Sequence, residues 1–414
     1  MDLTSSVLGW KMLAPLRDRR FALLWVGQAI SFLGDRTYGI ALPFLIFEQG
    51  GTASQISLAF TCFSIAQVVF LLVGGVLVDR WPRRLVMLTA DGVRALILVI
   101  LVGLLLTDRF ALWHIYVVSA GFGFFSAFFM PAAASIVPEL VKPERLVAAN
   151  ALRSLSMDLS QIVGPLLGSA LVAVAGVTLA MGFDAASFLV SAACVFAIGS
   201  GHRAAPRSPA SERERSYLRD IADGFRYVAA SQWLWVTITI FALANVFLMG
   251  TLNIALPVLA AERLGGAGGL GTVLAAMAAG SILSALIVGR FDRLRHRGIL
   301  AYGAVLLSGV VIGALGLSSG LLSAAALAAV LGAGVAVFGV IWEATLQERV
   351  PTEALGRVVS IDMLGSFALL PVGYLLVGAL IPAVGLTGTM LIGGIGTVAL
   401  AACGLSLRAI RSLD

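Results

Sequence analysis

Gly75-Val-Leu-Val-Asp79-Arg80-Trp-Pro-Arg83-Arg84 is a short basic knot that decides how the rest of the chain is read. It is flanked by residues 52–78 and 85–107, two nearly uncharged runs, each long enough to cross a bilayer. Between them, one acid and three arginines fall within six positions. So short a connection joins two antiparallel helices at one membrane face, and its positive excess places that face in the cytoplasm. Gly75 lets two helices approach closely. Asp79 can accept hydrogen bonds or pair with a nearby arginine.

The whole composition agrees with a polytopic membrane protein. Of 414 residues, 59% are hydrophobic and 12% charged, with a mean hydropathy of +1.00. Soluble domains carry about twice that charged fraction. The net charge of +6 is spread unevenly. Arg109 and Arg263 are the only cations in segments placed outside, and Arg36, Arg94 and Arg153 lie within or at the edge of spans. The charge therefore orients the chain, and no nucleic-acid partner is expected. Cys62, Cys194 and Cys403 sit in apolar spans, so neither a disulfide nor a metal site is expected. The first apolar run, from Phe21, is too long for a cleavable signal.

Working outward, the apolar runs number twelve: 20–47, 52–78, 85–107, 111–137, 146–175, 177–200, 233–260, 267–289, 298–318, 320–346, 358–381 and 384–407. The expected fold is an all-α integral membrane protein with both termini cytoplasmic. Its twelve transmembrane helices form an N-terminal six-helix bundle (1–200) and a C-terminal one (233–414). A cytoplasmic linker, 201–232, joins them, and its part from Glu212 to Val228 has the spacing of a helix lying on the membrane surface.

The halves repeat. Val141-Lys-Pro-Glu144-Arg-Leu146 aligns with Val350-Pro-Thr-Glu353-Ala-Leu355 at an offset of 209, and the same offset carries Gly164 onto Gly373 and Gly176 onto Gly385. Ile40-Ala-Leu-Pro43 recurs as Ile254-Ala-Leu-Pro257. The loop Gly289-Arg290-Phe-Asp292-Arg293-Leu-Arg295 is a degraded echo of the opening motif.

With these residues in view, the opening stretch resembles the loop signature of the major facilitator superfamily, Gly-x-x-x-Asp-Arg-x-x-Arg-Arg, with Pro82 where glycine is usual. Ser160-Gln-Ile-Val-Gly164-Pro165-Leu-Leu-Gly168 resembles that superfamily's antiporter motif, with Ser160 in place of its first glycine. Gly27-Gln28…Leu33-Gly34-Asp35…Ala41-Leu-Pro43 resembles the first helix of the drug:proton antiporter branch that includes macrolide and enterobactin exporters. The resemblance implies pseudo-twofold bundles, alternating access, and antiport rather than symport.

Catalytic templates are missing: there is no Gly-x-x-x-x-Gly-Lys-Ser/Thr loop, and His114, His202 and His296 form no ligand pair. Neither an enzyme nor a cofactor is expected, which leaves an ion gradient as the energy source. Charges inside a bilayer cost several kcal/mol, so each is a functional candidate. Asp35, ~22 Å into the first span at 1.5 Å per residue, is the sharpest proton-coupling candidate, followed by Asp158 and Glu343. A structural partner to a buried arginine is the competing role for Asp35. Gly164 and Gly168 offer a smooth packing face, and Pro165 is expected to kink the helix.

Gating candidates are Gly75, Asp79, Arg80, Arg83, Arg84, Asp91, Arg94, Glu139 and Arg145 in the first half, with Glu353, Arg357 and Asp362 in the second. Asp184 is expected to cap the outer side of the sixth span. Substrate-binding candidates are Gln28, Arg36, Phe128, Gln161, Asn245, Asn253, Phe338 and Trp342. Apolar walls with one or two acids suit bulky amphiphiles, often cationic. The expected protein is a monomeric, proton-coupled antiporter of the bacterial inner membrane, exporting lipophilic or cationic drugs and similar amphiphiles. Export of a specific metabolite such as a siderophore, or flipping of a lysophospholipid, is the alternative, and a non-transporting receptor or scaffold is the alternative of another class.

Overall fold

A computed structural model describes residues 13–78, 81–199, 223–291 and 295–413. Among the described residues the regular structure is helical, with no strand. Ten helical stretches are long and apolar enough to cross a membrane. Two of these, Pro143–Ala197 and Ala354–Ser406, exceed fifty residues. Each is broken inside by a glycine outside helical geometry, Gly176 (φ 79°, ψ 167°) and Gly385 (φ 75°, ψ 167°). Only glycine takes that backbone without strain. Dividing the runs there gives twelve crossings, and the two breaks stand at the 209-residue offset read from the repeat.

In chain order the crossings are α1 (Arg19–Glu48), α2 (Ala53–Val78), α3 (Arg83–Leu106) and α4 (Leu112–Ser135). Then come α5 (146–175) and α6 (177–197), α7 (Gln232–Arg263), α8 (Ala267–Val288), α9 (Arg297–Leu317) and α10 (Leu321–Arg349). The last two are α11 (352–384) and α12 (386–406). Local signals set the starts. Asp18 caps α1 by accepting from the Arg20 amide at 3.0 Å, and Pro82 precedes α3 where its missing N–H costs nothing.

The chain forms two compact units. Met1–Gln49 and Cys62–Ser208 make one, Gly50–Thr61 and Pro209–Asp414 the other. In the first unit α1 packs on α5 and α6, and α3 on α4 and α6. In the second, α8 packs on α10, α9 on α10 and α12, and α7 on α11. Also within the second unit, Ser57 donates to the Tyr374 carbonyl at 2.5 Å and Ser54 to the Gly378 carbonyl at 2.8 Å.

Pro165 stands inside the helical run, whose interior residue outside helical φ/ψ is Gly176, the turn between α5 and α6. In α7 a π-helical turn, Thr251–Ala255, interrupts the α-helix, whereas α1 stays α-helical through the matching Ile40-Ala-Leu-Pro43. Of the expected surface helix 212–228, residues 223 onward are described, and they are helical through Ala230.

Candidate functional site

Arg94 is the centre of the first unit's charged cluster. It lies about 16 Å into α3 at 1.5 Å per residue and is 1% exposed. Asp91, three residues earlier and so on the same helix face, meets its Nη2 at 2.5 Å. Asp35 of α1 stands 3.6 Å from its Nη1. The guanidinium also lies 4.2 Å from the ring centroid of Phe188 and 4.7 Å from that of Phe129. Flat, weakly hydrated arginine suits such a sandwich, where two aromatic faces replace water.

Sequence places the remaining partners through small residues. Gly27 and Gly34, seven apart on α1, bring its backbone against α6, where a Cβ at Gly27 would meet Ser191 and Cys194 and one at Gly34 would run into Ser187 and Asp184. Ser191 then donates to Asp91 Oδ2 at 2.6 Å, and Ser187 donates to Asp184 Oδ1 at 3.2 Å. Asp184 is fully buried, and its Oδ2 has no hydrogen-bond partner among the described residues. It is therefore not a cap on the outer end of α6. Burial against Gly34 puts it beside Asp35, within electrostatic reach of Asp35, Asp91 and Arg94.

Two carboxyls thus hold one guanidinium, with a third, Asp184, buried beside Asp35. Such a cluster can take up a proton without stranding an unpaired cation. Its members differ in access: Asp91 and Asp184 are sealed, whereas the Asp35 side chain is 35% exposed. Asp35 is the most accessible of the three carboxyls and holds Arg94 by the longer contact.

The other coupling candidates lie elsewhere. Asp158 and Glu343 are exposed and make no hydrogen bond or ion pair among the described residues. Arg36 is exposed, and its stem fills the space where a Cβ on Gly164 would fall. Gly168 sits as closely on Thr37, so the α5 glycines are the α1–α5 contact. The same crossing recurs in the second unit, where a Cβ at Gly373 would fall 2.6 Å from the Val246 carbonyl oxygen. Gln28 is buried, and its Nε2 has no hydrogen-bond partner among the described residues. Gln161 is exposed, and Phe128 lies tilted against Phe124 and Phe70, with centroids 5.0 and 6.3 Å away.

At the loops, Arg83 pairs with Glu139. Arg84 donates to the carbonyls of Val195 and Phe196 at 2.9 and 2.6 Å, tying the start of α3 to the end of α6. Arg145 reaches the Ala14 carbonyl at 3.4 Å, and Arg357 stands 3.9 Å from Asp223. Gly75 is in the last turn of α2. Asp79, Arg80 and the Glu353 side chain lie outside the described residues.

The second unit holds a cavity of about 180 Å³ among α7, α9, α10, α11 and α12. Phe241 and Phe338 stack on its wall with centroids 3.6 Å apart, and Trp342 follows nearly parallel to Phe338. Trp342 Nε1 donates to Asp362 Oδ2 at 3.2 Å. Asn245, Ser308, Ser366 and Thr397 also face the cavity. Of the substrate candidates, Asn245, Phe338 and Trp342 come together here, joined by Asp362 from the gating set. Asn253 lies outside, bonded to the Met249 carbonyl at 2.9 Å.

The family model described as Major Facilitator Superfamily matches residues 24–265. The enterobactin exporter EntS of Shigella boydii serotype 18 is 27% identical over 339 residues, covering 82% of this chain and 79% of its own. Its counterpart in Escherichia coli O139:H28 has the same identity and coverage. Among solved structures, a bacterial homologue of the human lysosomal transporter Spinster, in an inward-facing and unoccupied conformation, aligns with a TM-score of 0.75 at 14% identity, covering 96% of this chain and 98% of that one. A nucleoside transporter aligns at 0.72 and 12% identity, covering 94% and 98%.

Proposed function

The chain belongs to the Major Facilitator Superfamily, a multi-pass membrane transporter, and from that premise we propose that it exports an amphiphilic small molecule in exchange for protons. The observation that carries the reading is the Asp35–Arg94–Asp91 cluster with Asp184 behind it. With Asp35 ionised, Arg94 is shared between α1 and α3. A proton arriving on Asp35 cancels its side of that pairing and leaves Arg94 to Asp91. The tie between α1 and α3 weakens, and a helix contact becomes dependent on protonation, as alternating access driven by a proton gradient requires. The protein sits in a bacterial inner membrane with both termini in the cytoplasm.

The exported class is lipophilic or cationic drugs and similar amphiphiles. Siderophore export is a second reading, favoured by the 27% identity to enterobactin exporters. Ethidium efflux from loaded cells expressing the chain tests proton coupling. Efflux above the empty-vector level that a protonophore abolishes supports it. Efflux that persists unchanged in the protonophore removes proton coupling from the account.

A further inference from the structure

The second-unit cavity carries one carboxylate, Asp362, among aromatic and hydroxyl-bearing side chains and the Asn245 amide. Asp362 supplies a carboxylate whose partner among the described residues is the Trp342 indole N–H. Ser308 and Thr397 spend their hydroxyl protons on their own helices, at the Ala304 and Gly393 carbonyls, both 2.9 Å away. What they turn to the cavity is oxygen lone pairs. No lysine or arginine is among the described residues that line it. The walls are aromatic, with Phe338 lying between Phe241 and Trp342. Cavities of about 150 Å³ take a benzene ring, so about 180 Å³ holds one aryl ring and a small substituent.

We propose that this cavity is a subsite for an aryl group bearing a cation or N–H donors, with Asp362 as the residue that selects positive charge. It deepens the exporter reading and rests on it for the role of the bound molecule. The ring packs against Phe338 and Trp342, and the cationic or donor group reaches the free side of Asp362. Aromatic faces beside the Asp362 carboxylate favour a cation over its neutral isostere and disfavour an anion. Asp362 thus acts on substrate charge, and the Trp342 N–H fixes the carboxylate's direction.

The test is equilibrium binding to the detergent-solubilised full chain, read by ligand-observed NMR titration. The probes are benzyltrimethylammonium, its uncharged isostere neopentylbenzene, and benzenesulfonate. Wild type is expected to prefer the cation at least about tenfold over the isostere, with the sulfonate weakest. Asp362→Asn keeps an acceptor for Trp342 and removes the charge, so it should erase that preference while the isostere binds as before. Phe338→Ala, whose effect does not depend on Asp362, should weaken cation and isostere together. No preference in wild type, an undiminished preference in Asp362→Asn, or tighter binding of the sulfonate overturns the proposal. No gradient is needed, so a probe that binds as expected while protonophore-sensitive efflux is missing leaves the subsite standing and removes the exporter reading.

Discussion

Replacing Arg94 by methionine keeps length and apolar bulk between Phe129 and Phe188 but removes the charge. Asp91 is then a buried carboxylate left with Ser191. Stranding one partner of a buried ion pair costs about 3–5 kcal/mol. Asp35, at 3.6 Å and partly exposed, loses the looser of the two pairings. For a unit of this size each kcal/mol moves the melting point by about 2–4 °C, so Arg94→Met should melt roughly 6–20 °C below wild type. Adding Asp91→Asn removes the stranded charge and should recover about 0.5–3 kcal/mol. Tryptophan-fluorescence melts of the purified protein in one detergent measure both. Arg94→Met melting with wild type, or a double variant no better than the single, refutes the assignment of Arg94 and Asp91 as the buried pair.

Three further outcomes follow. Gly176→Ala and Gly385→Ala force a side chain into a backbone reserved for glycine with nothing within 4 Å to clash, so each should lower stability by the strain alone, about 1–3 kcal/mol. The two melting shifts should match within about 1 kcal/mol. Gly168→Leu drives a side chain into Thr37, whose Cα would lie 2.9 Å from the new Cβ, and should cost about 1–3 kcal/mol or more. Gly182→Ala, where the new Cβ would meet nothing within 4 Å, should leave the melt unchanged to within about 0.5 kcal/mol. Arg83→Glu should cut ethidium efflux by breaking the pair with Glu139, and adding Glu139→Arg should restore it; failure of the swap to restore efflux removes the pair from the gate.

What could be read from the sequence was whatever lies along one helix. The twelve apolar runs declare their number, and the 209-residue offset brings Gly176 and Gly385 to corresponding breaks. Asp35 stands out because an acid in an apolar run has few excuses. Its partner could not be read, because 59 residues separate Asp35 from Arg94 and helical periodicity names only neighbours on the same helix. Asp91 and Arg94, three apart on one helix, are legible as a pair. Asp184 was misplaced for a related reason: its distance from the start of α6 is visible, but its face depends on Gly34 of another helix. The spacing Asp184-x-x-Ser187-x-x-x-Ser191, matched by Gly27 and Gly34, was the available signal. Asp362 likewise joins Asn245 and Trp342 only through tertiary packing. The π-turn at Thr251–Ala255 left no mark, since the Ile-Ala-Leu-Pro it leads into is shared with the regular α1.

The central claim is that a proton moves through Asp35 when substrate is exported. Its most direct measurement is proton flux in proteoliposomes with a pH dye inside, with ethidium added, comparing wild type, Asp35→Asn and Asp158→Asn. The account predicts ethidium-dependent proton movement in wild type and in Asp158→Asn, and none in Asp35→Asn. Flux that survives in Asp35→Asn at the wild-type rate contradicts it.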